Sequence, residues 1–413
     1  MASECRFCKS PLEYVLVDLG LSPVSNHFRD PSRVDHEGQT FFPLKALVCE
    51  SCWLVQLSDV VTPPHFYEDY AYFSSFSASW LAHAERYAQE MQERLGLGSD
   101  SFVLEIASND GYLLQHFKNA GIKVIGVEPS DNVAAYAKEH HGIESIVEFF
   151  GKSLGDALRK KGISADLIAC NNVLAHVPDI GDFVSGIGPV LAPDGTLTIE
   201  FPHLLQMLTQ GQFDTVYHEH YFYLSLLSVE RILGAHGLTV YGLEQLNTHG
   251  GSLRVFAKHS ASEINDHALA ETLAKVRRDE ANFGLNSLAG YSGFAERPAQ
   301  CKADLLSFLI DVWRQGKTVC GYGAPAKGNT ILNYSGIGPE LLPFTTDLSP
   351  QKQGKFLPGV NIPVFHPDHI KATRPDYVLI LPWNLREEIV QQLSDIRDWG
   401  GQFVVAIPKL ETF

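Results

Sequence analysis

The sequence predicts an α/β protein in three parts: a small N-terminal metal-binding unit, then two successive units built on parallel sheets. Three observations predict it. Short apolar runs in the middle of the chain each end in a polar turn and alternate with helical stretches, the pattern of a parallel sheet covered on both faces. Four of the seven cysteines fall near the N-terminus as two Cys-x-x-Cys pairs. A second α/β pattern starts at Lys317 and continues to the end.

A chain of 413 residues exceeds one ordinary domain. Texture divides it into a zinc-binding unit over 1–70, a central α/β unit over 71–260, a polar helical connector over 261–300 and a C-terminal Rossmann-like unit over 301–413. Hydrophobic residues at 45% supply a core for each. Acids outnumber bases 48 to 32, giving a net charge of −16, so nucleic acid is not an expected partner. No run reaches the roughly 18–20 apolar residues of a membrane helix. Met1–Ser10 carries no apolar stretch that could direct secretion, and the expected location is the cytoplasm. Thiols stay reduced there, which favours metal ligation over disulfides.

Cys5-x-x-Cys8 and Cys49-x-x-Cys52 have the spacing that lets two thiolates reach one tetrahedral metal at about 2.3 Å. The long segment between the pairs only lengthens a loop, at little entropic cost. Four thiolates leave no open position for water, so the expected zinc is structural. Cys170, Cys301 and Cys320 read as plain core or surface residues.

In the central unit, strands are expected at 102–106, 123–127, 166–170 and 196–200. The first ends in the polar loop Glu105-Ile106-Ala107-Ser108-Asn109-Asp110-Gly111, where an open α/β sheet binds ligands. Glu128 ends the second strand, and an acid there can accept hydrogen bonds from both ribose hydroxyls of an adenosine. These residues, with Asn171-Asn172-Val173-Leu174-Ala175-His176-Val177 and Pro193-Asp194-Gly195, resemble the ordered motifs of class I methyltransferases. The resemblance implies S-adenosylmethionine as cofactor, with Glu105, Ala107, Asn109, Gly111, Glu128 and Asn171 around it. Ala107 replaces the first glycine of the usual loop, which is tolerable if its φ stays negative.

The segment Val216-Tyr217-His218-Glu219-His220-Tyr221-Phe222-Tyr223 packs two imidazoles, a carboxylate and three phenols together. Gly250-Gly251-Ser252-Leu253-Arg254, Gly321-Tyr322-Gly323-Ala324-Pro325-Ala326-Lys327-Gly328-Asn329-Thr330 and Gly354-Lys355-Phe356-Leu357-Pro358-Gly359 follow. Together with the cysteine pairs, the set resembles the zinc-containing nucleotide-sugar C-methyltransferases, similar to the tetronitrose C-3′-methyltransferase, which methylate C-3 of dTDP-linked 4-keto-deoxysugars. The resemblance implies His220 as base, with Tyr217 and Glu219 beside it, and favours a monomer. Carbon beside a ketone becomes nucleophilic only after losing a proton, and imidazole is the default base near neutral pH. His176, just past the third strand, is expected to stabilise the enolate or touch the substrate.

In the C-terminal unit, Gly321-x-Gly323-x-x-Ala326 followed by Asp347 also matches the dinucleotide fingerprint in spacing, which keeps a nicotinamide-dependent oxidoreductase as a rival reading. Lys327 is not part of that fingerprint. The family resemblance instead implies a nucleotide-sugar site, with Lys327, Asn329, Asp347 and Lys355 near the substrate. An O- or N-methyltransferase, or a protein-binding module on a degenerate methyltransferase fold, are the remaining alternatives.

Overall fold

The computed structural model describes residues 4–32, 38–58, 73–264 and 269–413. Three sheets organise them. The central sheet has seven strands, in the order Leu238–Leu246, Ser252–His259, Leu191–Pro202, Ala165–Asn171, Phe102–Ile106, Lys123–Val127 and Ser145–Ile146. The last five run parallel; the first two form an antiparallel hairpin added at one edge. This is the class I methyltransferase architecture that the motifs imply. The chain leaves Phe102–Ile106 toward Lys123–Val127 on one side and returns to pair Ala165–Asn171 on the other. That reversal opens a crevice at the strands' carboxyl ends, where such sheets bind ligands. Val103, Leu104, Ile168 and Ala169 are fully buried, because a sheet covered on both faces exposes neither side of a central strand.

The N-terminal sheet is antiparallel: Tyr14–Ser22, Phe42–Val48, Val55–Leu57 and, as its fourth strand, Phe222–Tyr223. Its last strand comes from the histidine- and tyrosine-rich segment nearly 170 residues further along the chain. The C-terminal sheet orders Val364–Phe365, Thr345–Thr346, Val319–Tyr322, Tyr377–Ile380, Gln402–Val405 and Glu411–Thr412, parallel except at the last pair. One apolar core joins the N-terminal strands, Phe213, Val216 and Tyr223, and the C-terminal residues Leu305, Leu309 and Leu332.

The connector contains the helix Ala270–Phe283. Its Glu280 is buried and accepts hydrogen bonds from the backbone N–H of Leu226 and Leu227 and contacts His203 Nε2 at 2.7 Å. The carboxylate thereby satisfies the open N–H groups at the start of the helix Leu226–Ala235. No helix among the described residues is long and apolar enough to cross a membrane.

Candidate active site

At the N-terminus, Lys9 and Trp53 both adopt positive φ, and each donates its N–H to the carbonyl of the cysteine four residues earlier, Cys5 and Cys49. These turns fold each Cys-x-x-Cys pair into a knuckle. The four Sγ atoms lie within 4.8 Å of one another, with Cys5–Cys52 at 3.6 Å and Cys8–Cys49 at 3.4 Å. Tetrahedral bonds of about 2.3 Å separate sulfurs by a little under 4 Å, so the set fits zinc and closes its coordination shell. Cys170 and Cys320 are buried and lie outside this cluster.

At the crevice, Ala107 N–H and Ser108 N–H both donate to Val127 O, which turns the loop sharply. That turn puts Ala107 at φ +58°, contrary to the negative φ expected for a methyl-bearing residue; Ala107 and Asn109, at +48°, both sit in the left-handed region. The strain costs about 1–2 kcal/mol per residue and is carried at the ligand edge of the sheet. Gly111 serves packing: a Cβ there would lie 3.1 Å from Ile143 Cγ1. Glu128 accepts N–H donors from Asn109 and Ser130 at 3.0 Å each. Asn109 and Asp110 also accept from the backbone of Ser74 and Ser75, roofing the loop.

Glu105, Asp110 and Glu128 form a group of buried carboxylates. Burial first, then Asp110 and Glu128, pushes the Glu105 carboxyl well above its usual range. Asp110 Oδ1 and Asn171 Oδ1 are buried at the same edge without a hydrogen-bond partner among the described residues. Such groups need a ligand that is both cationic and rich in donors and acceptors. S-adenosylmethionine, with a sulfonium, an ammonium and an adenosine, meets that requirement.

Residues 213–220 lead into the turn that meets Ala175 and His176, just beyond the strand Ala165–Asn171. Tyr221 N–H donates to Ala175 O at 2.8 Å, and this bond brings the rings of His176 and His220 edge to face at 4.7 Å. His220 Nδ1 is 3.0 Å from Thr215 O. A carbonyl only accepts, so Nδ1 carries the ring's proton and Nε2 keeps its lone pair. The Tyr217 hydroxyl stands 2.5 Å from that Nε2 and donates to it. Burial, helped by His176 and Lys327, holds His220 well below its ordinary range; burial pushes His176 to about 4. Both imidazoles are therefore neutral. Glu219 Oε1 accepts from Asn26 N and Nδ2, and burial raises its carboxyl to about 7. His218 points away, toward Pro43 O and the Phe42 ring.

Lys327 reaches this cluster from the first turn of the helix Ala326–Ser335. Its Nζ donates to Asn384 Oδ1 at 2.9 Å and lies 4.9 Å from the Trp383 ring centre. Two of the other expected substrate residues, Asn329 and Asp347, are engaged within the C-terminal unit. Asn329 is buried and accepts from Asn333 Nδ2. Asp347 accepts from Ala324 N–H and Ser349 N–H and pairs with Lys352 at 3.2 Å. Lys355 makes no side-chain hydrogen bond or ion pair among the described residues. The glycine cradle is filled by protein: a Cβ on Gly323 would lie 2.5 Å from Pro382 Cδ, and one on Gly328 2.9 Å from Leu381 Cβ. A diphosphate lying on those glycines would meet Pro382.

Several groups at the site escape a reading by motif. Asn26 holds Glu219, and Trp383 Nε1 donates to Asp214 Oδ2 at 2.7 Å. Glu200 is buried between His83 and Arg254, with Arg254 Nε at 2.7 Å. His249 has φ +55° and lies 5.4 Å from the Trp80 ring. Next to it, Gly250 has φ +88°, and a Cβ there would stand 2.5 Å from Trp383 Cη2. Gly250→Ala is expected to combine backbone strain with a displaced tryptophan and to destabilise the protein by about 2–3 kcal/mol. Denaturant melts check this: an unchanged midpoint would mean the tryptophan gives way freely.

Comparison with known proteins agrees with this architecture. Residues 5–67 match a family model described as a zinc binding domain, 80–243 one described as a methyltransferase domain, and 247–408 one described as a C-methyltransferase C-terminal domain. The chain is 35% identical over 406 residues to the C-methyltransferase NovU of Streptomyces niveus, covering 98% of this chain and 96% of that one. A mitochondrial ubiquinone biosynthesis O-methyltransferase of Bos taurus is 27% identical over 101 residues, which is 24% of this chain and 27% of the relative. Among solved structures, magnesium protoporphyrin IX methyltransferase (ChlM) from Synechocystis PCC 6803 overlaps 44% of this chain and 83% of its own. Its identity is 16% and its TM-score 0.35, a partial likeness only.

Proposed function

The chain belongs to the zinc-containing C-methyltransferase family, and from that premise we propose that it methylates C-3 of a nucleotide-linked 4-keto-deoxysugar through an enolate. The observation that carries the reading is the His220–Tyr217 pair packed against His176, on the same chain as a group of buried carboxylates at the sheet's ligand edge suited to a sulfonium cofactor. S-adenosylmethionine, when bound, supplies an electrophilic methyl group. The chain's own residues supply the rest. Asp110 would face the cofactor's positive charge, which would also draw the Glu105 carboxyl toward its ionised form, and Glu128 and Asn171 would offer acceptors to its adenosine. The His220–Tyr217 pair takes the proton from C-3, with the His220 Nε2 lone pair, to which the Tyr217 hydroxyl donates, as its basic centre. Thr215 O fixes the tautomer that makes this possible. Glu219 and His176 shape the wall on either side.

Much of the rate enhancement follows from holding the nucleophilic carbon in line with the methyl donor and keeping water out. The reading places the enzyme in a reducing cytoplasm, where four thiols stay available to zinc. One chain suffices, since every group named comes from it. The test is direct: purified protein, S-adenosylmethionine and a dTDP-4-keto-deoxyhexose, with the product's carbon spectrum assigned. A new methyl on C-3 is the expected product. A methyl on oxygen or nitrogen would replace this reading with another methyltransferase activity.

A further inference from the structure

Resting on the C-3 methylation reading, we propose that Lys327 is a catalytic residue whose ammonium receives the enolate oxygen that forms at C-4, and that Trp383 and Asp214 are the positioning residues that hold it there.

Lys327 is half-buried, with no carboxylate at ion-pair distance among the described residues. Its contacts are one amide oxygen, Asn384 Oδ1 at 2.9 Å, and the face of Trp383 at 4.9 Å. Asp214 is the nearby acid, and its Oδ2 is engaged by Trp383 Nε1–H at 2.7 Å. Burial lowers the lysine's pKa, with Asp214 opposing. A half-buried cation with no carboxylate in ion-pair contact can take an anion from its ligand.

A nucleotide-linked keto-sugar offers two anions, the standing diphosphate on C-1 and the transient oxyanion on C-4. The fold distinguishes them. Two bonds tie the lysine's surroundings to the segment that carries the base: Thr330 Oγ1 donates to Val216 O at 3.1 Å, and Trp383 reaches Asp214. Lys327 precedes Thr330 by three residues and so shares its helix face. Val216 leads directly into Tyr217 and His220. A group fixed beside the base that acts at C-3 adjoins C-4, the next carbon, whereas C-1 lies two ring atoms away. In the glycine loop, Gly323 packs against Pro382 and Gly328 against Leu381, and the Ala324 N–H at its end already serves Asp347.

The enolisation balances without an added reagent. The C-3–H bond breaks and the proton passes to the His220–Tyr217 pair. The bonding electrons become the C-3=C-4 double bond, and the carbonyl π electrons move onto O-4. Lys327 gains an ion pair that does not exist in the ketone. Such a contact stabilises the transition state more than the bound substrate.

The test uses Lys327→Met and Lys327→Arg in the full-length zinc protein, with dTDP-4-keto-deoxyhexose in heavy water and no methyl donor. Deuterium uptake at C-3 reports enolisation alone. Substrate affinity is measured separately by calorimetry, and S-adenosylmethionine affinity reports folding. The expected result for Lys327→Met is a fall in saturated exchange of about 10²–10³-fold with substrate affinity within threefold of wild type. Lys327→Arg should recover part of the rate. Trp383→Leu should lower exchange about tenfold at constant affinity, and Trp383→Phe, which keeps the ring, less. Weakened substrate binding with saturated exchange intact would assign Lys327 to the diphosphate and overturn the inference while leaving the C-3 methylation reading standing. Wild-type protein that binds the sugar yet neither exchanges nor methylates it would remove that underlying reading, and this inference with it.

Discussion

Replacing His220 by Asn is expected to lower turnover by about 10²–10⁴-fold, the usual contribution of a positioned general base, while S-adenosylmethionine affinity stays at the wild-type value. The split follows from where the groups stand. His220 is held by Thr215 O and Tyr217, both on its own segment, whereas the expected cofactor contacts come from Glu105 to Gly111 and Glu128 on the central sheet. Asparagine preserves a donor near Thr215 O but has no basic lone pair to offer. Tyr217→Phe refines the reading. If His220 meets C-3 itself, loss of the phenol leaves Nε2 open and costs far less than loss of the imidazole. If the two losses match, the phenol relays the proton. Rapid-quench turnover with calorimetric cofactor binding checks both variants, and a wild-type rate in His220→Asn would remove the histidine from the chemistry.

The second large effect concerns zinc. Structural zinc sites contribute on the order of 10 kcal/mol or more of apparent binding free energy. Here that energy bears on the proposed catalytic segment through a short physical chain. Gln56 Nε2 contacts Cys5 Sγ at 3.2 Å, and Gln56 itself pairs with Phe222 across the sheet. Leu57 N–H donates to Tyr221 O, the residue after His220. Removing the metal, by chelation or by Cys49→Ser, should therefore release the strand Phe222–Tyr223 and lower kcat at least about tenfold. The seven-stranded sheet and its cofactor affinity should survive. Metal content, kcat and cofactor affinity measured on one preparation decide it. Metal-free protein with full kcat would mean that the sheet holds its register without zinc.

Legibility in the sequence followed the range of the interaction. The parallel strands were readable because burial on both faces writes an uninterrupted apolar run, as in Phe102–Ile106 and Ala165–Asn171. The zinc knuckles were readable because each pair of ligands is local. The crevice loop was readable by its place after a strand, but the φ of Ala107 was not, since it depends on two N–H groups converging on Val127 O. Contacts between distant segments left no pattern. Asn26 meets Glu219 across 193 positions and Trp383 meets Asp214 across 169. Glu280 lies in what reads as a polar connector, yet it is buried over the start of another helix. The two-residue strand Phe222–Tyr223 is hidden in an aromatic run whose period shows neither helix nor sheet. In the C-terminal unit the glycine spacing was legible, while the residues that fill the cradle come from another strand's end.

On the proposed mechanism this site makes an enolate before any methyl group moves. The most direct measurement is deuterium incorporation at C-3 of a dTDP-4-keto-deoxyhexose by the wild-type protein in heavy water, without the methyl donor, followed by mass spectrometry. Uptake of a single deuteron at that carbon is expected, abolished in His220→Asn. No uptake, from protein shown to bind both the sugar nucleotide and S-adenosylmethionine, would contradict it.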